Sequence, residues 1–203
     1  LIAWQVIISV GTLLAAISLG TEAGISAALF YLLNTTWVVG GLFLVADLVA
    51  RQRGTVSDGI VTAPRMRNRT LLSVLFLLGA VAAAGLPPLS GFFAKLLILM
   101  AAEPGAKMAW LWSVLLIGGF LTLVAYSRAG SIVFWRNTEG HIEDPGTLTR
   151  SVTVSTGALI SAGILIVALA SPISRYTDAT AAQLLDTDQY TDILKTQMVG
   201  EGN

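Results

Sequence analysis

An apolar segment interrupted by two adjacent prolines constrains the fold of this chain more than any other feature. The segment runs from Thr70 to Ala102, with Pro87 and Pro88 near its middle. Each proline removes a backbone donor, and the flanking Gly85 and Gly91 tolerate dihedral angles that a regular helix forbids. At about 1.5 Å per residue the segment is too long for one straight bilayer crossing and too short for two. It is therefore predicted to cross once, as two half-helices.

The composition indicates an integral membrane protein. Of the 203 residues, 55% are hydrophobic and 12% are charged, whereas charged residues make up about 25% of a soluble domain. Twelve basic and twelve acidic residues cancel, so the charge indicates no nucleic-acid partner. There is no cysteine, and the single histidine, His141, lies in a polar loop. The sequence also lacks nucleophile triads and nucleotide-binding motifs, which predicts that it is not an enzyme and holds no metal or cofactor.

Five hydrophobic segments predict an all-α polytopic fold. They are Leu1 to Leu19, Ile25 to Ala50, Thr70 to Ala102, Met108 to about Ile132, and Ser151 to Ala170. Residues 1–171 are thus assigned to a transmembrane region and residues 172–203 to a tail. The tail mixes apolar residues with aspartates, which suits amphipathic helices on the membrane surface or on a partner, or alternatively a frayed, solvated end. Since the chain starts inside an apolar segment without Met, it is expected to be the C-terminal piece of a longer protein.

The basic residues are distributed unevenly between the two sides that five crossings define. One side collects eight of them, namely Arg51, Arg53, Arg65, Arg67, Arg69, Arg128, Arg136 and Arg150. The other side has Lys107, Arg175 and Lys195. By the positive-inside rule, loops 51–69 and 133–150 are predicted to be cytoplasmic and the C-terminal tail to lie outside.

Lys95 is the leading candidate for a functional residue. It is the only Lys or Arg within an apolar run, and it follows the proline break closely. A buried ammonium is costly, so its charge depends on hydration and on neighbouring groups, as a proton relay requires. A lysine that only extends its amine to the membrane surface is the alternative. The adjacent break at Pro87, Pro88, Ser90 and Gly91 favours the relay, because broken helices line ion sites in transporters.

Other polar residues in the spans are weaker candidates. Asn34, Thr35 and Thr36 form a mid-span patch that suits either helix packing or a hydrated path. Asp47 stands four residues before Arg51, which favours a surface ion pair over a role in ion passage. Tyr126 is expected at the membrane interface with its neighbours Ser127 and Arg128.

The stretch Gly85-Leu86-Pro87-Pro88-Leu89-Ser90-Gly91-Phe92-Phe93-Ala94-Lys95 resembles the signature of antiporter-like membrane subunits. These occur in NADH:quinone oxidoreductase and in multisubunit Mrp-type sodium/proton antiporters. Further stretches, 28–33 with 42–54, 128–135 and 179–186, are most similar to the D-type subunit of Mrp antiporters. The resemblance covers most of the chain.

The resemblance implies a protein of about fourteen helices with two inverted five-helix repeats, of which this chain would be the last five helices. Lys95 would be the lysine of the second broken helix, in a mid-membrane row of protonatable residues. Tyr31 precedes the position where the family usually has a histidine and this chain has Asn34, which hydrogen-bonds but does not titrate near neutral pH. At Val6, Ile7 and Ile8 the family is often polar. The relay is thus expected to be weakened or rerouted.

Three functions follow as hypotheses. The first is a proton-translocating subunit of a Na⁺/H⁺ antiporter in a bacterial plasma membrane, surrounded by lipid and by other subunits of its complex. The second is the corresponding subunit of NADH:quinone oxidoreductase or of a membrane-bound hydrogenase. The third is a membrane scaffold without a proton path.

Overall fold

The described part of the chain, residues 1–136, 138 and 148–186 of a computed structural model, is built from helices. Seven α-helices occur in it, and their bounds are α1 Ile2–Ile17, α2 Glu22–Gln52, α3 Arg69–Ala84, α4 Ser90–Met100, α5 Ala106–Gly130, α6 Arg150–Ala168 and α7 Ala170–Leu185. A 3₁₀ turn, Gly54–Val56, follows α2, and a π-helical turn, Ser131–Trp135, continues α5. The all-α prediction is confirmed for these residues.

Three of the described helices are long and apolar enough to cross a membrane. They are Glu22–Gln52, Met108–Trp135 and Arg150–Ala168. The apolar helices α1, α3 and α4 are shorter. The structure thus shows an all-helical chain with several candidate spans in its described part. The total of five crossings stays a prediction.

The predicted interruption of the third segment is present. Helix α3 ends where Gly85 adopts a left-handed conformation with φ of 81°, which a residue with a side chain adopts at a cost. The amide of Gly85 donates to the carbonyls of Val81 and Ala82, closing part of the helix end. Helix α4 starts five residues later at Ser90. At Gly91 a Cβ atom would overlap the carbonyl oxygen of Ala82, so the two half-helices meet in direct backbone contact.

Helix α2 is the centre of the bundle, since α1, α3, α4, α6 and α7 all pack against it. Near one end of α2, Ser26 Oγ lies 2.9 Å from Thr177 Oγ1 and 2.5 Å from Asp178 Oδ1 of α7. Helix α7 begins at Ala170, so it starts before the predicted tail boundary and is docked on α2 rather than separate from the bundle. The tail residues beyond 186 lie outside the described residues.

The opposite end of the bundle holds the two arginine-rich loops. Phe134, from the end of α5, is buried in one cluster with Leu48 of α2 and Met66 of the 51–69 loop. The amide of Thr138 donates to the carbonyl of Ala63, which joins the two loops directly. The described residues of both loops thus lie at one end of the bundle, whereas His141 and its neighbours lie outside the described residues.

The buried side chain of Arg53 hydrogen-bonds to the backbone of the 51–69 loop. The residue is 2% exposed, and its guanidinium donates to the carbonyls of Ser57, Gly59 and Val61. Burial lowers the pKa of Arg53 from its usual value, yet an arginine stays protonated at physiological pH. Three carbonyl acceptors compensate for the loss of water around this charge.

Candidate functional site

The amine of Lys95 lies against the broken end of α3. Lys95 Nζ donates to the carbonyl of Ala84 at 2.8 Å and to that of Ala83 at 3.2 Å. The last four carbonyls of a helix have no partner within it. Two of them, on Val81 and Ala82, are capped by backbone amides after the break, and Lys95 takes the remaining two. The negative end of the α3 dipole also favours a cation at this point.

Glycines on two neighbouring elements lie next to the Lys95 side chain, and the closer of them is Gly85. A Cβ atom on Gly85 would lie 2.7 Å from Lys95 Cδ and 3.1 Å from Lys95 Nζ. A Cβ atom on Gly119 of α5 would lie 3.7 Å from Lys95 Nζ. The side chain thus lies between the α3 end and α5, where it is partly buried and also borders an apolar groove of about 270 Å³.

A small polar cavity separates Lys95 from α1 and α2. It leaves about 10 Å³ for the centres of water molecules, which is at the lower limit for one ordered water. Polar side chains dominate one wall, and the lining residues are Gln5, Tyr31, Asn34, Thr35, Val38, Val39, Ala82, Ala83 and Lys95. An ammonium has three N–H donors. Because carbonyls take two of them, the third is available to a water or a polar group in this cavity.

Asn34 and Ser90 join α2 to the start of α4. The Ser90 hydroxyl donates to Asn34 Oδ1 at 2.6 Å, and the Ser90 and Asn34 side chains are 0% and 3% exposed. Ser90 is also close to α6, since a Cβ atom on Gly163 would lie 3.2 Å from its hydroxyl. Asn34 thus fixes the start of the half-helix that carries Lys95, and it borders the cavity beside that residue.

The structure separates the other predicted site residues into two groups. Tyr31 and Thr35 face α1, where the Thr35 hydroxyl donates to Ser9 Oγ at 2.7 Å and the Tyr31 hydroxyl lies 3.4 Å from the same atom. Thr36 is exposed and donates to the carbonyl of Leu32 in its own helix. It is not brought to the cavity.

The remaining predicted residues lie away from the cavity. Asp47 pairs with Arg51 at 2.7 Å, and both side chains are largely exposed, as the surface ion-pair interpretation expects. Pro87 and Pro88 are exposed within this chain and form the connection between α3 and α4.

Three buried polar residues of α1 were missed in the sequence, and two of them, Gln5 and Ser9, contact this site. Gln5, Ser9 and Thr12 are buried at 3%, 4% and 5% exposure. Their spacing of four and three residues puts them on one helix face, and this spacing was the available signal. By contrast, Val6, Ile7 and Ile8 are exposed on the outer faces of α1. Within this chain, these three side chains do not line the cavity beside Lys95.

Tyr126 faces the interior of the bundle, and its position near the membrane interface stays a prediction. Its neighbours Ser127 and Arg128 are exposed, but Tyr126 is 1% exposed and packs among residues of α2 and α3. Its ring centroid lies 5.7 Å from that of Phe76. The adjacent arginine suggests a membrane interface in the sequence, whereas the helix face decides that the tyrosine points into the bundle.

The chain is similar to membrane subunits of known ion-translocating complexes. Residues 1–124 match the family described as NADH:quinone oxidoreductase/Mrp antiporter, transmembrane. A probable K⁺/H⁺ antiporter protein of Rhizobium meliloti, named as the D-type subunit, is 34% identical over 90% of this chain and 38% of its own length. The D-type protein of a Na⁺/H⁺ antiporter from Alkalihalophilus pseudofirmus is 27% identical over 95% of this chain and 38% of its own length.

Two further relatives extend this similarity. The N-type protein of an NADH-quinone oxidoreductase from Thioalkalivibrio sulfidiphilus is 31% identical over 79% of this chain and 33% of its own length. A chain in the Mrp complex structure from Dietzia sp. DQ12-45-1b shares the fold with a TM-score of 0.77 at 21% identity, over 93% of this chain and 43% of that chain. This chain spans less than half the length of these relatives. On the match of residues 1–124, it belongs to the membrane-subunit family shared by NADH:quinone oxidoreductases and Mrp antiporters.

Proposed function

We propose that this chain is the second half of a proton-translocating subunit in a multisubunit monovalent cation/proton antiporter, and that Lys95 carries the proton. The observation that supports this most directly is the position of Lys95 Nζ. It lies on the free carbonyls of a helix broken within an apolar segment, beside a polar cavity of one-water size. Membrane helices that break at mid-depth supply such carbonyls to bound cations.

The mechanism follows from the three N–H donors of the ammonium. The carbonyls of Ala83 and Ala84 hold two of them throughout, and the third proton is exchanged with water in the cavity. Asn34 carries no charge, so it orients that water and, through Ser90, the half-helix. The positive charge on Lys95 appears and disappears as neighbouring sites of the complex load or release cations.

The topology of this proposal uses five crossings. Helix α1 forms a short crossing, and α3 and α4 together form another, in addition to the three long spans. The loops 51–69 and 133–150 face the cytoplasm of a bacterium, and α7 lies at the outer end on α2. Other membrane subunits of the complex and lipid cover the exposed apolar faces. The proposed exchanged cation is Na⁺. K⁺ is the alternative, because one relative is named for K⁺/H⁺ exchange and another for Na⁺/H⁺ exchange.

The first test replaces Lys95 with alanine in the full-length protein within its complex. Cation-dependent proton release is followed in everted vesicles with a pH-sensitive dye, using Na⁺ and K⁺ separately. Lys95→Ala is expected to lower exchange by about a hundredfold or to the background leak, because the proton-binding group is lost. Arg67→Ala removes an exposed basic residue and serves as the matched control. Normal assembly with undiminished exchange in Lys95→Ala would contradict the proposal.

The relative from an NADH-quinone oxidoreductase supports a second candidate function. In that case, or in a membrane-bound hydrogenase, electron transfer drives the same relay. Purification of the complex distinguishes the two, since only a redox complex carries flavin and iron–sulfur subunits. A non-conducting scaffold is the third candidate, and exchange that survives Lys95→Ala would favour it.

A further inference from the structure

Helix α5 carries two buried hydroxyl groups that have no hydrogen-bond partner among the described residues. They are Thr122 Oγ1 and Tyr126 Oη, on side chains that are 3% and 1% exposed. Other threonines in these helices donate to the carbonyl four residues earlier, as Thr12, Thr36 and Thr156 do. Thr122 departs from this pattern. Neither buried hydroxyl is satisfied by a described residue in this arrangement of the side chains.

The two hydroxyls are aligned with Lys95. Thr122 and Tyr126 follow Gly119 by three and seven residues, so the three share one face of α5. Gly119 is the point at which α5 approaches both Lys95 Nζ and the carbonyl of Ala84. At 1.5 Å per residue, Thr122 lies about 4.5 Å and Tyr126 about 10.5 Å along the axis from Gly119.

This row leads away from Lys95 toward the end where the arginine-rich loops meet. Tyr126 packs with Phe76, which also contacts Phe134 at a ring-centroid distance of 5.3 Å. Phe134 belongs to the cluster beneath the two loops. Tyr126 shares a buried cluster with Ala80, Ala82 and Ala83 of α3, and with Val38 and Leu42 of α2. Water is the partner that buried, otherwise unpaired hydroxyls take in protein interiors.

We propose that Thr122 and Tyr126, with water between them, form a proton route from Lys95 to the bundle end that carries loops 51–69 and 133–150. This inference rests on the proposed function and adds a path to it. Each hydroxyl accepts a hydrogen bond on one side and donates on the other. A proton moves as each group binds one proton and releases its own, so the charge of each hydroxyl is the same before and after. Both hydroxyls pass the proton on without retaining a charge, and Lys95 remains the group that holds the proton.

The test removes the hydroxyls while keeping the shape of each side chain. Thr122→Val and Tyr126→Phe are made in the full-length protein within its complex, singly and together. Each is expected to slow exchange by about three- to tenfold, the effect of losing one hydrogen bond in the rate-determining path. Thr122→Ser keeps the hydroxyl and is expected to retain wild-type exchange. Thr180→Val and Tyr176→Phe are matched controls on α7, where the first hydroxyl bonds its own helix and the second side chain is 72% exposed.

A solvent-isotope measurement separates a proton route from a packing role. The ratio of exchange rates in H₂O and D₂O is expected to rise in the double variant, where proton transfer limits the rate more strongly, and to keep the wild-type value in Thr122→Ser and in the two α7 controls. Lys95→Ala is measured in parallel. If Lys95→Ala abolishes exchange while the double variant exchanges at the wild-type rate, the α5 route is wrong and the proposed function stands. If Lys95→Ala exchanges normally, the proposed function itself fails.

Discussion

Thr35 and Thr36 show how strongly the function of a residue depends on helix face. They are consecutive and chemically identical, yet Thr35 donates to Ser9 across the α1–α2 interface and borders the cavity. Thr36 donates to its own backbone and faces outward. A rotation of about 100° per residue separates the two environments.

This difference predicts different effects of one substitution at adjacent sites. Thr35→Val is expected to slow exchange by about three- to tenfold, because it removes the bond to Ser9 and one polar group of the cavity wall. Thr36→Val is expected to exchange at the wild-type rate. Everted-vesicle assays on the two variants, at equal amounts of assembled complex, check this. An equal loss of exchange rate in both variants would show that the polar wall of the cavity has no specific role in exchange.

The connection between α3 and α4 is the element on which the geometry of Lys95 depends. Gly85 ends α3 in a left-handed conformation, and Gly91 lets the start of α4 rest on the carbonyl of Ala82. Lys95 is one turn further along α4, so its amine meets the end of α3. Any change that moves α4 away from α3 also withdraws the amine from its two carbonyls.

A matched pair of glycine substitutions tests this arrangement. Gly91→Ala forces a Cβ atom into the Ala82 carbonyl and is expected to destabilise the protein by about 1–3 kcal/mol. Gly157→Ala in α6 meets open space and is expected to be neutral or stabilising by up to about 1 kcal/mol. Thermal unfolding of the purified complex measures both. An unchanged melting temperature in Gly91→Ala would show that the two half-helices are free to separate.

On the scale of the whole molecule, the bundle has two distinct ends. One end joins the arginine-rich loops through Phe134 and the bond between Thr138 and Ala63. The other end holds α7 against Ser26 of α2. The membrane side of each end stays a prediction from the positive-inside rule.

Single cysteines test which end faces the cytoplasm. The chain has no cysteine, so Arg67→Cys and Asp186→Cys each introduce one site in this part of the protein. A membrane-impermeant maleimide is expected to label Arg67→Cys in everted vesicles only and Asp186→Cys in intact spheroplasts only. The reverse pattern would invert the proposed orientation, and labelling of both from one side would contradict the proposed number of crossings.

The sequence by itself determined the helical character of the chain and the break in its third apolar segment, because both follow from local stereochemistry. Two prolines and the left-handed Gly85 end a helix whatever surrounds them. Lys95 stood out for a similar reason, since a cation in an apolar run is costly wherever it lies. None of these inferences depends on which helix is the neighbour.

The tertiary structure alone decided which face of each helix points inward. Helices that contact lipid are apolar on the outside as well as the inside, so hydrophobicity does not mark the buried face as it does in a soluble protein. The sequence therefore left Gln5, Ser9 and Thr12 unnoticed, did not separate Thr35 from Thr36, and did not show that Tyr126 faces the interior of the bundle. Packing of α1 on α2 and of α5 on α3 decides which of these side chains point inward.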